Sequence, residues 1–84
     1  MPDLPIKLQH LLRIFKQHTA LTDAELAHFY LTSKDPTLVR ISETAMRNGR
    51  EALVEHGLVR DSGKRKTNRL HRECILWELV DSAG

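Results

Sequence analysis

A single cysteine, Cys74, excludes an internal disulfide framework and a Cys-rich zinc site. No segment approaches the roughly 20 apolar residues that span a bilayer. The opening "MPDLPIKLQH" has neither a basic leader nor a long apolar run, so no secretory signal is expected. A soluble, reducing, cytoplasmic setting follows as the expectation. Repeats and low-complexity tracts are missing too, and no Gly-rich phosphate loop, nucleophile elbow or metal-binding carboxylate cluster is found. A chain of 84 residues forms one domain with a small core and leaves little room for a deep substrate pocket. The expectation is a single domain over residues 1–84, not an enzyme, with no cofactor and no metal.

What is present is unevenly distributed. The stretch from Arg60 to Arg72 holds six basic residues against one acid, Asp61, a net of +5. With +2 overall, the remainder of the chain is left at −3. Lys64, Arg65, Lys66, Arg69 and Arg72 crowd together just before the apolar run "ECILWELV". A mildly acidic body with one basic finger points to directed contact with a polyanion.

The apolar pattern predicts helices and strands in a definite order. Leu8, Leu11, Leu12 and Phe15 share one face of a helix over residues 5–18, with Asp3 as a cap and Pro5 in the first turn. Ala20 and Leu21 can form a very short strand. Thr22 and Glu25 make a capping box, so a second helix starts at Asp23 and buries Leu26, Phe29 and Tyr30. The connection "TSKDPTLVRI" is broken by Pro36, and Leu38, Val39 and Ile41 are expected to tuck into the core. Ser42 caps a third helix, Glu43 suits its positive end, and Gly57 ends it with Leu58 against Leu53. Gly49, beside Met46 and Leu53, costs helix stability relative to Ala; a close packing partner would explain it, though the sequence shows none. "LVRDSG" reads as a strand entering a turn at Ser62-Gly63, and "ECILWELV" as its partner. On the latter, Ile75, Trp77 and Leu79 lie on one face, with Cys74, Leu76, Glu78 and Val80 on the other. The hairpin tip is expected between Gly63 and Arg72.

This order, and the passage "LVEHGLVRDSGKRKTNRLHRECILWEL" above all, resembles the winged helix-turn-helix superfamily, in particular small phage and prophage winged-helix proteins. The resemblance spans residues 6–80. It implies an α+β fold of three helices with a C-terminal basic β-hairpin wing. It also implies double-stranded DNA binding, by a phage or prophage regulatory or accessory protein.

On that resemblance, the wing residues Lys64, Arg65, Lys66, Arg69 and Arg72 would contact phosphate, with Thr67 and Asn68 adding neutral contacts. The third helix would offer Thr44, Arg47, Asn48 and Glu51 to the major groove, and Arg50 to a phosphate. Arg47 suits guanine and Asn48 adenine. Each feature also has an ordinary explanation. A charge run is often a solvated hairpin tip, and Arg47 with Glu51 is also a common surface pair at i, i+4. His71 and Cys74 fall on opposite faces of a strand and make no metal site; His10, His18 and His28 read as surface residues. Trp77 reads as a core anchor under the first or third helix. Ile6 and Ile14 are spare apolar positions for a homodimer contact. A protein partner instead of DNA, fitting the acids of the third helix, is the alternative, and RNA would suit the same basic hairpin.

Overall fold

The computed structural model describes residues 4–80. The elements run α1 (Ile6–His18), β1 (Ala20–Leu21), α2 (Asp23–Thr32), α3 (Glu43–Glu55), β2 (Val59–Thr67) and β3 (Glu73–Leu79). Three helices thus accompany one antiparallel sheet of order β1-β3-β2, an α+β architecture.

Local chemistry sets the helix ends. Thr22 accepts from the Glu25 N–H and the Glu25 carboxylate accepts from the Thr22 N–H, so both capping-box bonds form. Ser42 accepts from the Ala45 N–H and opens α3. At the other end, Leu58 N–H donates to Leu53 O and Gly57 N–H to Val54 O. That double closure needs a left-handed residue, and Gly57 supplies φ 75°. α1 starts after Pro5, which is the residue before the helix and gives no side-chain cap. The proposed cap Asp3 lies outside the described residues.

The core gathers Leu8, Leu11, Ile14 and Phe15 of α1 with Leu21, Leu26, Tyr30, Met46, Leu53 and Val59. Leu38, Ile41, Phe29, Trp77 and Leu79 pack against its edge. The close partner implied by Gly49 is α1: a Cβ there would stand 2.3 Å from Leu11 Cδ1 and 3.3 Å from Leu8 Cδ2. The missing side chain at Gly49 lets the two helices approach closely.

The long connection between α2 and α3 is tied down. Arg13 of α1 reaches Asp35 at 2.7 Å and Thr37 at 3.0 Å. Tyr30 OH donates to Val39 O, and Val39 N–H donates to His10 Nδ1 at 3.0 Å. His10 is consequently buried, not a surface residue as its place in the sequence implied. An imidazole acceptor satisfies a loop amide that would otherwise be unpaired near the core. Ile14 is buried as well, so only Ile6 of the two isoleucines is exposed for contact with another chain.

Candidate nucleic-acid interface

β2 does not turn at Ser62-Gly63. It continues to Thr67, and residues 62–64 stand opposite Leu76 alone, a bulge between the Asp61–Trp77 and Arg65–Ile75 pairs. The Asp61 carboxylate accepts from the Gly63 N–H at 2.8 Å, and Ser62 Oγ from the Lys64 N–H at 3.1 Å. Gly63 takes φ 82°, which the bulge requires. The Ser-Gly pair that looked like a hairpin turn is therefore a bend within a strand, and the two arms are longer than expected. β3 supplies the reason: its apolar run continues to pair with the basic half of β2.

The true tip is residues 68–72. Asn68 organises it. Its Oδ1 accepts from Leu70 N–H at 2.9 Å and Arg72 N–H at 3.1 Å, while its own N–H donates to Arg72 O. His71 N–H closes on Asn68 O, with His71 in the left-handed region at φ 58°. The Asn68 side-chain oxygen is thus spent on the loop. His71 sits in this turn, not on a strand face opposite Cys74. No group of three metal-ligating side chains occurs among the described residues.

Three basic side chains of the Arg60–Arg72 stretch have carboxylate partners within the molecule. Arg60 pairs with Glu78 at 2.8 Å, Arg65 with Asp61 at 3.1 Å, and Lys66 with Glu25 on α2. Burial pushes the Glu25 carboxyl up, but the bonds from Lys66 and Thr22 and the Lys66 charge outweigh it and leave it below its ordinary value. The Gly63 N–H, with help from Arg65, holds Asp61 low despite its slight desolvation. Lys64, Arg69 and Arg72 are exposed and form no ion pair among the described residues. The wing's uncommitted charge is therefore about half of what composition implies, and two of its three carriers, Arg69 and Arg72, lie at the tip.

α3 presents Thr44, Arg47, Asn48 and Glu51 to solvent. Arg47 does not pair with Glu51 or any other described acid. Arg50 departs from expectation. It is 8% exposed, its guanidinium holds both oxygens of Asp23 at 2.8 and 2.9 Å, and it lies 3.9 Å from the Trp77 ring centroid. A bidentate, stacked arginine at this depth has no reach to a phosphate. It instead joins α2, α3 and β3. Trp77 is the platform for it, half-buried at the edge of the core and not within it as its sequence context implied. The signal for this role, an acid at the first position of α2, is visible in the chain only once the helices are placed.

Between α2 and the tip runs an open groove of about 570 Å³. Ala24, His28 and Phe29 line one side and Arg69 and Leu70 the other. His18 stacks on Phe29 with centroids 4.0 Å apart. Among the described residues no helix is long and apolar enough to cross a membrane. Comparisons with family models, with curated proteins and with solved structures find no match for this chain.

Proposed function

We propose that the chain is a winged helix that binds double-stranded DNA, in the phage or prophage setting its resemblance implies. The observation that carries this reading is the braced hairpin whose tip holds Arg69 and Arg72, with Lys64 below them, all three without acidic partners among the described residues. Such cations displace phosphate counterions, which makes affinity steeply salt-dependent. Exposed Arg47, Asn48 and Thr44 on a capped, well-seated α3 support its role as the helix in the major groove. Arg65, Lys66 and Arg60 orient the wing, and Arg50 seats α3.

A specific observation favours a second reading, a protein-interaction module. The exposed face of α3 carries Glu43, Glu51 and Glu55 against Arg47 alone, and the groove beside α2 is apolar. Fluorescence anisotropy against a mixed-sequence duplex, at several salt concentrations, separates the two. DNA binding requires log K to fall linearly with log salt, and the Lys64, Arg69 and Arg72 to Ala variant to bind more weakly with a shallower slope. Absence of duplex binding at low salt sinks the DNA reading. Tighter binding to an RNA hairpin than to the duplex would transfer the wing to that polyanion.

A further inference from the structure

Leu70 is 70% exposed at the apex of the hairpin. It is not among the half-buried apolar residues that pack against the core. It borders the α2 groove, yet most of its surface remains open to water. A lone exposed leucine normally needs no explanation. This one has an unusual setting. The Asn68 side chain and backbone lock the apex, so the leucine is presented by a shaped loop. Arg69 and Arg72 flank it without ion-pair partners. The arms beneath are held together by Arg60–Glu78 and to α2 by Lys66–Glu25.

An apolar side chain flanked by two cations fits a surface that is anionic outside and apolar within. Duplex DNA has that layering on the scale of one residue: phosphates outside, stacked bases within. An anionic lipid surface has it too, but holding a protein there takes a broad apolar face or a second anchor, and the apex offers one leucine.

We propose that Leu70 is a wedge that enters between adjacent base pairs of duplex DNA, so that the wing bends its DNA and prefers easily unstacked steps. This rests on the DNA-binding reading and adds to it a source of sequence preference. Prising apart a base step costs more than burying one leucine returns. Insertion is therefore favourable only where the step is soft and where Arg69 and Arg72 gain phosphate contacts from the bend. Pyrimidine–purine steps, TA and CA/TG, are the softest. The preference arises without any hydrogen bond to a base edge.

The test uses two duplexes of equal length and composition, one with a central TA step and one with a central GC step. Each carries end labels for energy transfer, and a second set carries 2-aminopurine at the centre. The natural chain, Leu70→Ala and Leu70→Gln are compared, each first checked by thermal melting for an unchanged fold. The expected result is bending and a rise in 2-aminopurine fluorescence on the TA duplex, with about fivefold tighter binding than to the GC duplex. Both variants lose bending and preference while keeping the salt slope, because the cations are intact. Equal bending by Leu70→Gln overturns the wedge and leaves DNA binding standing. So does sedimentation with anionic vesicles that depends on Leu70 while bending does not. If the natural chain binds no duplex at all, the DNA reading fails and the wedge falls with it.

Discussion

α3 and the wing are both exposed and both polar, but they differ in electrostatic character. On α3, one exposed cation, Arg47, faces three exposed acids, Glu43, Glu51 and Glu55. On the wing, Lys64, Arg69 and Arg72 form no ion pair among the described residues, while Arg60, Arg65 and Lys66 are paired internally. A helix of that character gains little from a phosphate backbone and has more to offer base edges, where geometry discriminates. The cations of a hairpin of the other character supply attraction with little sequence information, so any preference the wing adds comes from Leu70. On the DNA-binding proposal, the contrast would give affinity to the wing and base reading to α3.

The strongest way to break this division is charge removal. Lys64, Arg69 and Arg72 to Ala should flatten the salt dependence by about 2.7 in slope, so that between 50 and 200 mM salt the natural chain loses about 40-fold more affinity than the variant. The matched Arg60, Arg65 and Lys66 to Ala variant should change the slope far less. Equal effects from the two triples would show that the internal ion pairs do not hold in solution.

Next in size is the seating of α3. Gly49→Ala gains about 1 kcal/mol of helix propensity. Its new methyl, however, would stand 2.3 Å from Leu11 Cδ1, and Leu11 is wholly buried, so the packed core must shift to admit it. Overpacking of this kind costs about 1–3 kcal/mol. The expected net is destabilisation, read as a lower midpoint in urea, with the wing's salt slope unchanged once folded protein is measured.

Arg47→Ala sharpens the helix side of the comparison. It should relax sequence preference at one base pair, by about tenfold, while reducing the salt slope by no more than about 1. A loss of affinity uniform across sequences would make Arg47 a phosphate contact and blur the division.

The smallest effect is on acid stability. Glu25 sits below its ordinary value of 4.5 in the folded protein. As pH falls, the unfolded chain takes up that proton first, so the stability Glu25 adds is complete above about pH 4.5. It is lost as pH drops through the lowered folded value. Asp35, held low by the Thr37 bonds and Arg13, and Asp61 act in the same direction. For the half-exposed Lys66–Glu25 pair the contribution is under about 1 kcal/mol. Thermal melts of the natural chain and Glu25→Gln should differ at neutral pH and converge in acid.

The helix boundaries were legible because their signals are local. Thr22 and Glu25 are three residues apart, Ser42 caps Ala45, and Gly57 closes on Val54 while the next residue closes on Leu53. A capping bond needs only its own neighbourhood, so it can be read from a few letters. The hairpin was legible in existence but not in length. Ser62-Gly63 has the composition of a turn, and whether it turns depends on how far β3 can pair, which those residues do not encode. His10 and Ile14 illustrate another gap. Both lie on the first helix, and only the loop folded over from Val39 and the helices packed alongside decide that they are inside.

By itself, then, the sequence determined the order of elements, most of their ends, and the placement of positive charge late in the chain. Those follow from periodicity, capping and composition, all of which act over a few residues. Only the tertiary structure decided which of those charges are uncommitted. Arg60 finds Glu78, Lys66 finds Glu25, and Arg50 finds Asp23, each across a long separation in sequence. An ion pair depends on where two distant backbones come to rest; strand register puts Arg60 opposite Glu78, and helix and sheet packing place the others. The wing's free cations are the ones for which the fold made no ion pair among the described residues.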